Sequence, residues 1–140
     1  PRRSQGRVRV VVDEGVPRQL VAALRNAGLD AHRFKPIWKG FTNGRLLAAR
    51  ERDGFDVLLT NDKNMASQQN FKGRTVAVVA LPTNRRATVM SRLADIIDTL
   101  GRVDPSQYLA IEQDGSRTAH RIGPDGLTTV EKLPSVPPFR

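Results

Sequence analysis

Phe55 to Asn64 reads FDVLLTNDKN. Its first six residues are a nearly continuous apolar run preceded by Gly54, the pattern of a parallel strand covered on both faces. The polar segment NDKNMASQQN begins where the carboxyl end of that strand emerges, so Asn61, Asp62, Lys63 and Asn64 stand at a strand end.

The flanking segments repeat the same logic. Upstream, Arg7 to Val12 reads RVRVVV, a β-branched run that stops at Asp13, Glu14 and Gly15. Pro17 suits the first turn of a helix, in which Leu20, Val21 and Leu24 share a face before Gly28 ends it. Leu29 to Phe34 gives a second strand, and KPIWKGFTNG, residues 35–44, a long loop with an aromatic anchor. From Asn43 a middle helix carries Leu46, Leu47 and Arg50 at helical spacing and closes near Asp53 and Gly54. Downstream, RTVAVVA at 74–80 is a fourth strand. A helix starting near Asn84 then carries Val89, Leu93, Ile96, Ile97 and Leu100 as one apolar stripe up to Gly101.

Strand and helix alternate throughout, which predicts an α/β fold with three layers, a mostly parallel sheet with helices on both faces. After Asp104 the pattern changes. QYLAIEQ and RTAHRI flank Asp114-Gly115, a strong hairpin signal, and LPSVPPFR at the end has no periodicity. The expected organisation is a core domain over 1–104, a C-terminal β-hairpin over 105–124, and an extended or disordered tail over 125–140.

Composition narrows the function classes. The 140 residues contain no cysteine, so disulfides and thiolate metal sites are excluded and any metal must sit on oxygen or histidine ligands. No stretch approaches the roughly 20 apolar residues of a membrane span, and the basic start lacks the apolar centre of a secretory signal, so a cytoplasmic location and no membrane partner are expected. Lys and Arg outnumber Asp and Glu by 23 to 14, a net charge of +9, which suits a polyanion such as RNA or an acidic protein partner, or serves solubility alone.

Open α/β sheets bind their ligands outside the carboxyl ends of the strands. Two acidic clusters fall there, Asp13 with Glu14 after the first strand and Asp62 after the third. One aspartate at a strand end commonly caps a turn or helix; two clusters ending two apolar strands point to a shared site. Like charges gathered on one edge call for a cation between them, and a hard ion such as Mg²⁺ accepts carboxylates plus water. Asn61 and Asn64 add neutral oxygen donors beside Asp62. Arg85 and Arg86 open the last predicted helix, where phosphate contact or a merely solvated helix start are both open. His32 and His120 lie in segments that do not converge and read as surface or structural. Trp38 and Phe41 either anchor their loop or stack on a base.

Three segments, VVVDEGVPRQLVAALRNAGLDA, TNGRLLAARERDGFDVLLTNDKNMA and TVAVVALPTNRRATVMSRLADII, together resemble the small PIN-like domain family related to VapC-type toxin ribonucleases, over about residues 7–100. Asp13, Glu14, Thr60 and Asp62 match the family pattern. Asn43 stands where the middle helix opens with an acid in that pattern, and Asn64 replaces a second aspartate after the third strand. The resemblance implies a metal-dependent endoribonuclease, the toxin of a toxin-antitoxin pair. Asp13 and Asp62 would bind Mg²⁺ or Mn²⁺, and Glu14 would act with them in catalysis. Asn43, Asn61, Asn64 and Thr60 would support the site, and Lys63, Arg85 and Arg86 would hold RNA. A cognate antitoxin and a homodimer are the implied protein partners. Two other readings compete: a PIN-like protein that binds RNA or a partner without cutting, and a phosphoacceptor receiver domain with Asp62 phosphorylated. The receiver is disfavoured because only eleven residues separate Asp62 from Arg74 and no lysine ends a later strand.

Overall fold

The computed structural model describes residues 8–65, 73–123 and 125–140. Arg7 of the first predicted strand and residues 66–70 of the polar segment lie outside the described residues. Strands β1 (Arg9–Val12), β2 (Asp30–Arg33), β3 (Val57–Thr60), β4 (Ala77–Ala80), β5 (Gln107–Ile111), β6 (Arg117–Ile122) and β7 (Thr128–Leu133) form one sheet in the order β2-β1-β3-β4-β5-β6-β7. The first five run parallel, and β6 and β7 are antiparallel additions. Helices α1 (Gln19–Asn26), α2 (Asn43–Arg52), α3 (Arg86–Ser91) and α4 (Leu93–Arg102) connect them, with a short 3₁₀ turn at Pro36–Trp38.

The period-2 alternation of the strands divides the core in two. Val10, Val12, Val57, Leu59, Ala77 and Val79 face one way and pack with Leu20, Leu24, Val89, Ile96 and Leu100 from α1, α3 and α4. Val11, Leu58 and Val78 face the other way and pack with Leu46 and Leu47 of α2, Phe55 and Trp38. Helices therefore cover both faces, and β3, every residue of it buried, lies between β1 and β4 as its apolar run requires. Gly28 and Gly54 end α1 and α2 with φ of +94° and +86°, a conformation that costs a glycine little. Among the described residues no helix is long and apolar enough to cross a membrane.

Three features depart from the expected layout. The last helix is two pieces, because Arg92 at φ −109° and ψ 23° leaves the helical path between α3 and α4. The hairpin expected over 105–124 forms, β5 pairing antiparallel with β6 across Asp114-Gly115, but it is no appendage: β5 also pairs parallel with β4 inside the main sheet, and β7 extends the sheet beyond β6. Residues 125–140, expected as a tail, supply β7 and then a docked terminal segment. The prolines there cannot donate to a ladder, yet their carbonyls accept: Arg117 Nε donates to Pro134 O at 2.8 Å, and Arg92 Nε to Pro138 O at 2.9 Å. Phe139 is fully buried in the core on the α1, α3 and α4 face. Gly115 makes room for this segment, since with φ +91° a Cβ there would lie 1.9 Å from the carbonyl oxygen of Val136.

Candidate functional site

The order β2-β1-β3 places a topological switch between β1 and β3, because the chain leaves β1 towards one neighbour and returns on its other side. The loops after these strands meet there. Thr60 Oγ1, buried at the end of β3, donates to Asp13 Oδ2 at 2.8 Å and accepts from the Asp62 backbone N–H at 3.0 Å. One hydroxyl thus orders both acidic loops. Asn61 packs its side chain against Gly15, where an added Cβ would come within 2.7 Å of Asn61 Oδ1.

Asp62 Oδ1 accepts from the backbone N–H of Asn64 at 2.9 Å, the turn that a short carboxylate makes with its own chain. Asn43, the first residue of α2, donates from Nδ2 to the Asn64 carbonyl at 3.4 Å, and so joins the start of α2 to the β3 loop. The structure therefore gathers Asp13, Thr60, Asn61, Asp62, Asn43 and Asn64 at one end of the sheet. Tyr108 Oη donates to the Lys63 carbonyl at 3.3 Å. Burial first, then the carboxylates of Glu112 and Asp62, push this phenol above its ordinary pKa, so it stays protonated as a donor.

The residue that sequence reasoning missed is Arg50. Its guanidinium is fully buried on α2, with Nη2 donating to Asp13 Oδ1 at 3.0 Å. Nε and Nη1 have no hydrogen-bond partner among the described residues, and the group instead lies 5.0 Å from the Trp38 ring centroid and 5.6 Å from that of Phe34, within reach of cation–π attraction. Burial lowers the pKa of Arg50 below its ordinary value, and the charge and hydrogen bond of Asp13 oppose that shift. The signal was present, since an arginine at the spacing of Leu46 and Leu47 sits on the buried stripe.

This pair changes what Asp13 can do. One carboxylate oxygen is held by Arg50 and the other by Thr60, so its charge is neutralised from within. Among the described residues, no three His, Asp or Glu side chains are grouped to hold a metal ion. The oxygen donors at this end are a carboxylate already paired with arginine, Asp62, the exposed Glu14 and three asparagines, so the Arg50 pair removes one uncompensated charge from what a resident Mg²⁺ or Mn²⁺ would meet.

The remaining predicted residues divide. Glu14 is exposed, and no described residue pairs with its side chain. Lys63 Nζ reaches Glu112 at 3.3 Å across an exposed surface, while Arg85 and Arg86 are exposed at the start of α3, beyond the carboxyl end of β4. His32 hydrogen-bonds Asp30 at 2.7 Å and His120 stacks on Tyr108, so neither joins the site. Trp38 is an anchor, buried edge-on against Phe34 and Phe55, and Phe41 lies under Arg45.

A cavity of about 330 Å³ opens on the β2 side of the switch, between the loop after β1, the side of α1 and the segment that follows β2. Asp13 and Glu14 form part of its wall, and it also carries Arg18, Arg33 and Lys39, three cations the sequence reading did not single out. No protein-family model matches the chain, and neither a curated protein nor a solved structure does.

Proposed function

We propose that this chain is a PIN-like RNA-binding protein that holds RNA along the carboxyl edge of its sheet without cutting it. The observation that carries this reading is the Arg50–Asp13 pair. A carboxylate whose charge is already answered by a buried guanidinium holds a cation, and helps to activate water, less strongly than a free one. The same edge carries exposed cations at the end of β2, in Arg33, and beyond β4, in Arg85 and Arg86, which suits a phosphate backbone running across the strand ends. The net charge of +9 supplies the long-range attraction.

A second reading has an observation of its own: Glu14 and Asp62 are carboxylates with no cationic partner among the described residues. It is the metal-dependent endoribonuclease, using Mg²⁺ or Mn²⁺ and acting as a toxin with an antitoxin partner and a homodimer.

The test is incubation of purified protein with a mixed, labelled RNA pool in Mn²⁺, beside EDTA and Asp62→Ala controls, with binding followed over about 50 to 200 mM salt. Salt-dependent retention of intact RNA supports the binding reading. Fragments that require Mn²⁺ and disappear in Asp62→Ala transfer the function to the nuclease.

A further inference from the structure

From the cavity beside Asp13 we infer that the protein has a pocket for a single 5′-phosphorylated nucleotide, the end of an RNA strand. The inference deepens the RNA-binding reading and rests on it for the strand, though not for the pocket.

Three features of the wall select the ligand. Val16 from the loop before α1, Val21 from the first turn of α1 and Phe34 after β2 give it an apolar, partly aromatic side of the kind that takes the flat face of a base. Arg18, Arg33 and Lys39 give it three cations, all exposed, and none of their side chains has an ion pair or hydrogen bond with another described residue. Cations that answer an internal carboxylate are part of the fold; cations left free around one concavity are ready for a ligand's anion.

The acids in the wall do not cancel them. Asp13 is neutralised by Arg50, which leaves Glu14 as the one free carboxylate against three free cations. A doubly charged terminal phosphate balances that surplus, whereas an internal phosphodiester, with one charge, does not. Glu14 is an acceptor suited to ribose hydroxyls, and it disfavours a second phosphate.

Size sets the remaining limit. A volume of about 330 Å³ lies at the small end of ligand pockets, enough for one nucleotide and too little for two stacked ones. The pocket opens beside β1 and β2 at the carboxyl end of the sheet, the same end at which Arg85 and Arg86 follow β4, so a strand that leaves it along the strand ends runs towards them.

Equilibrium binding of the full chain to one oligoribonucleotide in 5′-phosphate and 5′-hydroxyl forms tests this, with the four nucleoside 5′-monophosphates, their nucleosides and inorganic phosphate as competitors. The 5′-phosphate form is expected to bind at least about tenfold tighter, since charge-assisted contacts to a phosphate contribute that much. Monophosphates compete for this increment and nucleosides do not. Arg33→Gln with Lys39→Gln erases the difference between the two RNAs, whereas Arg85→Gln with Arg86→Gln weakens both equally.

Equal binding of the two RNAs with no competition by monophosphates overturns the pocket and leaves the RNA-binding reading standing. Saturable binding of monophosphates without any RNA binding upholds the pocket and overturns the RNA reading. Competition by inorganic phosphate as strong as by monophosphates overturns the role given to the apolar wall.

Discussion

Nη2 of Arg50 lies 3.0 Å from Oδ1 of Asp13, and the arginine is wholly withdrawn from solvent while the aspartate keeps 12% of its side-chain surface. The two partners are therefore unequal. Removing the aspartate strands a guanidinium in the core; removing the arginine leaves a carboxylate that water can reach.

The first prediction follows from that asymmetry. Asp13→Ala costs about 3 to 5 kcal/mol, the penalty of an uncompensated buried charge. Arg50→Met, which keeps the packing against Trp38 and Phe34 and removes the charge, costs less than about 2 kcal/mol. Urea denaturation of both variants and of Arg50→Met with Asp13→Asn measures this, and the double variant is expected close to Arg50→Met alone. Equal losses in the two single variants would show that the pair is not held by the burial of Arg50.

A second prediction concerns divalent metal. Millimolar Mn²⁺ leaves the melting temperature of the wild type unchanged, because Asp13 is already paired. In Arg50→Met the freed Asp13 carboxylate lies one hydrogen-bonded hydroxyl away from the Asp62 loop. Mn²⁺ then raises the melting temperature by mass action, and EDTA reverses the rise. A Mn²⁺-dependent rise in the wild type that vanishes in Asp13→Asn would contradict the assignment of Asp13 to Arg50.

The third prediction tests the docked terminus. Phe139→Ala empties a fully buried site and costs about 3 to 5 kcal/mol. Gly115→Ala has a comparable effect from 24 residues away in sequence, because its Cβ would occupy the position of the Val136 carbonyl, and the terminal segment must leave. Combining the two gives less than the sum, since both release the same segment. Thermal denaturation of the single and double variants is the measurement, and full additivity would refute the coupling.

Much of the sheet was legible in the sequence because its strands carry their own instruction. VVV and VLLT are buried on both faces and read as continuous apolar runs, and the acids that follow them mark the strand ends that the parallel order then brings together. Charged residues with buried roles were not legible in the same way. Arg50 shares the spacing of Leu46 and Leu47, but nothing in the sequence names the partners, Asp13 for Arg50 and Asp98 for Arg117, that let these guanidinium groups be buried. Strand β7 was hidden for the opposite reason. Thr128 to Lys132 are exposed, so no burial pattern marks them, and they are held in the sheet by their ladder with β6. The 125–140 segment looked unstructured because its prolines break periodicity, while its attachment depends on proline carbonyls, which periodicity does not report.

Asp98 carries the last prediction, on pH. Its carboxylate accepts from Arg117 Nη1 at 2.7 Å and from Arg102 Nε at 2.8 Å, and these bonds, Arg117 first, hold it below the ordinary carboxylate pKa. A folded-state pKa below the unfolded one means that the native state favours the charged form. The stabilisation is fully present above the unfolded value, near 4, and is lost as the pH falls through the depressed folded value. Because Asp98 is more than a third exposed, screening limits the effect to about 1 kcal/mol. Asp98→Asn is therefore expected to melt a few degrees below the wild type at pH 7, with a gap that narrows below about pH 4 and shrinks in high salt. Melting curves of both proteins from neutral to acid pH check this. A gap that stays constant down to acid pH would show that Asp98 acts through packing rather than charge, and that Arg117 is anchored by Thr99 and Pro134 alone.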